Sequence, residues 1–163
     1  MGNDEHSVPA KLRALPSRSV NQVAIAANRL VDRALSGAGS HRYRYAMLAT
    51  LEEFGPSSQA NLGRCTGIDR SDVVAAVNAL VAAGYADRSP DPSDGRRNIV
   101  TITPAGVRHL RELGDVLAEV QDELLRSLSA AEREVLVELL NRIADDRDVL
   151  GAARRGAARD GQG

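Results

Sequence analysis

The sequence predicts a mostly α-helical chain with one small β-hairpin, and three observations carry that expectation. Aromatic residues make up 2% of the chain and Trp is absent, so Leu, Val and Ala must fill the interior, which suits packed helices better than a sandwich of sheets. Apolar residues recur at spacings of three and four through most of the chain. The interruption is the stretch LVAAGYADRSPDPSDGRRNIVTITPAG, from Leu80 to Gly106, which joins a Gly stop, two short extended runs, a polar loop and a Thr-Pro helix restart.

Residues 1–16 include Pro9 and Pro16 and hold no sustained period, which predicts a flexible arm with a helical turn over 11–15. Residues 17–40 form one unit. Val20, Val23, Ala24, Ala27, Leu30, Val31, Ala34 and Leu35 keep helical spacing, Ser17 can cap the start, and Gly37-Ala38-Gly39 ends it. A second helix over 41–54 places Tyr45, Leu48, Leu51 and Phe54 on one side before Gly55-Pro56 closes it. Ser57-Ser58 then cap a short helix over 59–66, apolar at Ala60, Leu62 and Cys65. After the break Gly67-Ile68-Asp69, a helix over 70–83 presents Val73, Val77, Leu80 and Val81 on one face, with Asp69 as N-cap and Asp72 as its capping-box-like partner. Helix, short turn with Gly, helix is helix-turn-helix spacing.

Gly84 can take the left-handed conformation that stops this helix. Tyr85-Ala86-Asp87-Arg88 and Asn98-Ile99-Val100-Thr101-Ile102 read as strands, the second β-branched and alternating by face. Ser89 to Gly95 reads as the loop, since two prolines remove ladder donors while Asp, Ser and Gly favour turns. Residues 41–106 therefore predict a winged helix-turn-helix lobe. Thr103 caps and Pro104 starts a long helix with a stripe at Leu110, Leu113, Leu117, Val120 and Leu124, running to about Leu128. Ser129-Ala130-Ala131-Glu132 is a capping box for a last helix reaching about Leu150. A lone winged lobe has no need of so much apolar stripe, so 17–40 and 107–150 predict a helical dimerisation layer pairing two copies isologously. Residues 151–163, rich in Gly, Ala and Arg, predict a disordered tail.

The net charge of −1 hides a segregation. Residues 41–111 carry nine Lys/Arg against seven Asp/Glu, or +2, whereas residues 112–149 carry four against eleven, or −7. Positive charge accompanies the hairpin, so one end can grip a polyanion despite the near-neutral total. No run is apolar for the length of a bilayer, and Asp4 and Glu5 precede any apolar stretch, which predicts a soluble, cytoplasmic protein without membrane contact. Cys65 is the single cysteine, so neither an intrachain disulfide nor a cysteine-based zinc site can form. His6, His41 and His109 are too scattered for a metal site, and no nucleophile, phosphate loop or carboxylate pair stands out. Catalysis, metal and cofactor are not expected.

The motif Leu80-x3-Gly84-x3-Arg88, then Asp91-Pro92-x-Asp94-x-Arg96-Arg97, then Val100-x-Ile102-Thr103-x2-Gly106 resembles the signature of MarR-type (multiple antibiotic resistance regulator) bacterial transcription regulators, and Pro56-Ser57-Ser58-Gln59 resembles the start of their helix-turn-helix. The resemblance covers roughly Arg42 to Leu128. It implies a homodimer that binds a pseudo-palindromic operator in double-stranded DNA, most often as a repressor released by a small ligand or by thiol oxidation. It also implies that Arg96 enters the minor groove.

For DNA, the start of the helix over 70–83 offers Asp69, Arg70, Ser71, Asp72 and Val74 to base edges and phosphates, with Arg70 suited to guanine O6 and N7. Arg70 can equally pair with a phosphate or a neighbouring acid. Asn78 is a phosphate candidate, and Ala75 and Ala76 stand where relatives often carry polar side chains. In the wing, Asp94 is expected to orient Arg96, while Arg97 meets phosphate or braces the hairpin. Ser58 and Gln59 are secondary phosphate candidates at a helix N-terminus.

His41, Arg42, Tyr43, Tyr45 and Met47 lie where the resemblance places a pocket for a small aromatic or phenolic anion. The alternative is that Tyr45 and Met47 are core and that His41 and Arg42 face solvent or phosphate. Cys65, three residues from Leu62, reads as core packing more readily than as a redox sensor. A dimeric, sequence-specific DNA-binding regulator is the expected function. The competing readings are a winged-helix protein-interaction module and a thiol-based regulator acting through Cys65.

Overall fold

The structure, a computed structural model, describes residues 8–146. The chain divides into two compact units, the first ending at Leu124 and the second beginning at Leu125. The first contains α1 (Ala10–Arg13), α2 (Pro16–Gly37), α3 (Arg42–Phe54), β1 (Ser57–Ser58), α4 (Gln59–Thr66), α5 (Arg70–Ala82), β2 (Ala86–Asp91), β3 (Asp94–Ile102) and α6 (Pro104–Leu124). The second contains α7 (Ala130–Ala144). The tail over 151–163 lies outside the described residues, as do residues 1–7 of the arm; the last helix, expected to reach about Leu150, ends at Ala144, and the long helix expected to reach about Leu128 ends at Leu124.

The core of the winged lobe sits where α3, α4, α5 and the sheet converge. Met47, Leu48 and Leu51 of α3 meet Leu62 of α4, Val73, Ala76, Val77 and Leu80 of α5, and Val100 of β3, all buried in one cluster. Leu110 of α6 closes it, and α2 packs along α6. Phe54, expected on the buried side of α3, is 66% exposed because it occupies the last residue of the helix, past the edge of the core. Cys65 is exposed, against the expectation of core packing. In the short α4, Leu62 alone is buried, and Cys65, one turn further on and next to the last residue of the helix, lies outside the core cluster.

The sheet has the order β1-β3-β2. Its hairpin is longer than the sequence predicts. The first strand starts at Ala86 and not Tyr85, Ser89 to Asp91 extend β2 and Asp94 to Arg97 extend β3, so the loop of 89–95 shrinks to a tight tip. Pro90 is tolerated because β2 is an edge strand, and the register shifts right after it, between Pro90 and Asp91. The two-residue β1 pairs Ser57 with Val100 and Ser58 with Ile99. It was not legible in the sequence, since serines carry no strand preference.

The cap assignments hold in part. Thr103 accepts from the backbone N–H of Gly106 at 3.0 Å, and Ser129 with Glu132 forms the full capping box of α7. By contrast α2 begins at Pro16, with Leu15 at the cap position, so Ser17 lies inside the helix. Asp69 has the extended N-cap backbone but its side chain makes no cap hydrogen bond, so no capping box forms with Asp72.

A candidate nucleic-acid interface

Two junctions hold the hairpin against the helices. At Gly84, with φ of 75°, the N–H of Tyr85 bonds to Leu80 O at 2.9 Å and that of Gly84 to Val81 O at 3.0 Å, the paired bonds of a Schellman stop. At the far end, Thr103 Oγ1 donates to Gly84 O at 2.7 Å and the Thr103 N–H donates to Tyr85 O at 3.0 Å. Gly106 lies under the same carbonyl. A Cβ there would stand 2.0 Å from Tyr85 O, so the close approach of α6 to the base of the wing requires glycine.

At the tip, Asp91 Oδ1 accepts from the N–H and the hydroxyl of Ser93 at 2.8 and 2.7 Å, an Asx-type turn. Those bonds, with the Asp94 N–H and the charge of Arg97 as lesser contributions, hold the Asp91 carboxyl below the ordinary carboxylate range. Asp94 does not orient the side chain of Arg96 as expected. Its Oδ1 accepts from the Arg96 backbone N–H at 3.1 Å, while its Oδ2 pairs with Nε of Arg97 at 3.8 Å. A carboxylate on a tight turn reaches the nearest backbone amide first. The Arg97 pair is an exposed contact within β3. The Arg96 guanidinium has no protein partner among the described residues, and the residue is exposed.

On α5, Arg70, Ser71, Val74, Ala75 and Asn78 are exposed and share one side by helical spacing. Val73, Ala76, Val77 and Leu80 are buried on the other, so Ala76 belongs to the core and only Ala75 of the alanine pair faces outward. Asp69 is exposed and Asp72 is half-buried. Gln59 and Arg70 line one open cleft of about 450 Å³ with Ala60, Gly63 and Ile68, which brings together two candidates from different helices. Ser58 uses its hydroxyl to accept from the Asn61 N–H at 3.2 Å, as the cap of α4.

One contact escaped sequence reasoning. Arg88 of β2 donates from Nη2 to Oδ1 of Asn78 at 2.6 Å, tying the wing to α5. Strand alternation held the signal. Arg88 lies two residues from the buried Ala86 and so shares its helix-facing side.

The candidate ligand residues scatter by environment. Met47 is fully buried, while Tyr43 and Tyr45 are half-buried against the core. His41 caps α3, accepting from the Tyr43 N–H at 3.3 Å, with its ring edge-on to Tyr43 at 4.8 Å. Arg42 is spoken for. Its Nε and Nη2 donate to the two carboxylate oxygens of Asp32 at 2.8 and 2.5 Å, and Nη1 donates to Asn28 Oδ1 at 3.0 Å. The Arg42 hydrogen bonds hold the Asp32 carboxyl below its ordinary range, and the same partner raises the guanidinium.

Among the described residues no helix is long and apolar enough to cross a membrane. A sequence model of the MarR family matches residues 41–97. The chain is 34% identical over 95 residues to an uncharacterized HTH-type transcriptional regulator, YcgE, of Bacillus subtilis, covering 58% of this chain and 62% of that one. It thus spans less than two thirds of that relative. It is 32% identical over 108 residues to the HTH-type transcriptional repressor NicR of Pseudomonas putida, covering 66% of this chain and 68% of NicR. Among solved structures, the PcaV transcriptional regulator of Streptomyces coelicolor in complex with its natural ligand superposes with a TM-score of 0.70 at 29% identity, covering 86% of this chain and 99% of PcaV.

Proposed function

The chain belongs to the MarR family of transcription regulators, and on that premise we propose that it is a homodimeric repressor of a pseudo-palindromic operator. Membership sets it among regulators and not enzymes. The observation that carries the proposal is the free Arg96 guanidinium at the hairpin tip, beside an Arg97 already paired with Asp94. A cation held clear of internal partners on a narrow two-stranded arm suits the minor groove, where A·T-rich sequence concentrates negative potential. The exposed side of α5 then enters the major groove with Arg70 at its leading end, and Gln59 at the cleft edge and Ser58 at the cap of α4 meet phosphate.

The first unit leaves Leu15, Val20, Val23 and Ile25 exposed, and the second leaves Val135, Val137, Leu139 and Ile143 exposed. Apolar faces of that kind favour burial against a second copy. Two lobes related by a dyad would place their α5 helices in major grooves about 34–36 Å apart. Release would come from a small aromatic or phenolic anion at His41, Arg42, Tyr43 and Tyr45, whose acidic group competes with Asp32 for the Arg42 guanidinium. A gel-shift on the DNA flanking its own gene, repeated across salt concentrations, tests the proposal. Binding that weakens steeply with salt is expected, since neutralised phosphates release counterions.

A further inference from the structure

We infer that α5 reads thymine through its methyl group, with Val74 and Ala75 as the specificity-determining contacts. This rests on the proposal that α5 enters the major groove. The exposed side of the helix is polar at both ends and apolar between. Arg70 and Ser71 stand one turn before Val74 and Ala75, and Asn78 one turn after. Val74 is 36% exposed although its neighbours Val73 and Val77 are fully buried, so the core leaves it outside.

Two of the polar residues around this patch, Asn78 and Asp72, are poor base readers. Asn78 Oδ1 already accepts from Arg88 at 2.6 Å, which ties the amide to the wing and takes one of the two lone pairs of the oxygen that a bidentate contact to adenine uses. Asp72 is half-buried and anionic, and so repels phosphate. The central contact therefore falls to two short hydrocarbon side chains. In the major groove the C5-methyl of thymine is the one apolar group that a base edge offers, so apolar side chains at the centre select thymine over cytosine, which lacks it.

The test takes the duplex most enriched by the full-length chain from a random-sequence library. It is synthesised with thymine and then with uracil at each thymine position of one half-site, which removes the methyl and keeps the Watson–Crick pairing. We expect wild-type affinity to fall about fourfold at one or two positions, the size of one methyl's worth of burial. Val74→Ser or Ala75→Ser, folded by circular dichroism, should bind the thymine and uracil duplexes alike. Equal wild-type affinity for the two duplexes at every position would overturn the inference while leaving DNA binding intact. Enrichment of no duplex would overturn the DNA reading and the inference with it.

Discussion

Arg88 on β2 and Asn78 on α5 are joined by a hydrogen bond of 2.6 Å from guanidinium to amide oxygen. The pair links the two elements that would contact DNA in adjacent grooves, so it fixes the angle between them. Removing either partner should loosen that angle. In a double-mutant cycle of Arg88→Ala and Asn78→Ala, DNA affinity should show coupling of roughly 0.5–1.5 kcal/mol, the range of an ordinary net hydrogen bond. Strict additivity would show that the two elements act independently.

Gly106→Ala should destabilise the protein by about 1–3 kcal/mol, the usual cost of overpacking. The added Cβ would meet backbone, at Tyr85 O, and the side chain of Ile102, and neither can move without shifting the base of the wing. Urea denaturation reads the loss as a lower midpoint at unchanged slope.

The Asp32 carboxyl should titrate below its ordinary value, and Arg42→Ala should return it toward that value. The sign follows from linkage. A carboxylate depressed in the folded state contributes stability that is present above its unfolded value and is lost as pH falls through the folded one. Carboxyl chemical shifts followed by NMR across the acid range check both statements.

Cys65 should react with a thiol reagent in the native protein, one equivalent per chain, because its side chain is exposed on α4. Absorbance of the released chromophore, compared with and without denaturant, measures it. Labelling that requires denaturant would restore the buried reading.

These expectations also show where the sequence was informative. The helix over 59–66 and the Gly84 stop were legible to the residue, because caps and left-handed glycines act locally. The hairpin was legible in kind but not in length. Its prolines argue against a strand only if that strand is central, and nothing local says that β2 is an edge. The burial of Ala76 and the exposure of Cys65 depend on how helices rotate against one another, which periodicity fixes poorly in an eight-residue helix or an alanine-rich one. In the candidate site, the arginines were visible as residue types. Their partners were not, since the choice of Asp94 for Arg97, and of Asn78 for Arg88, is a tertiary outcome.

Arg96 stands exposed at the hairpin tip with no internal partner among the described residues. The most direct test of its role is the operator affinity of Arg96→Ala beside wild type, at one fixed salt concentration. The side chain has no internal partner, so the fold should keep its denaturation midpoint, while binding should weaken by roughly 1–3 kcal/mol. Unchanged affinity in a variant of unchanged stability would contradict the assignment of the hairpin as a DNA-contacting wing.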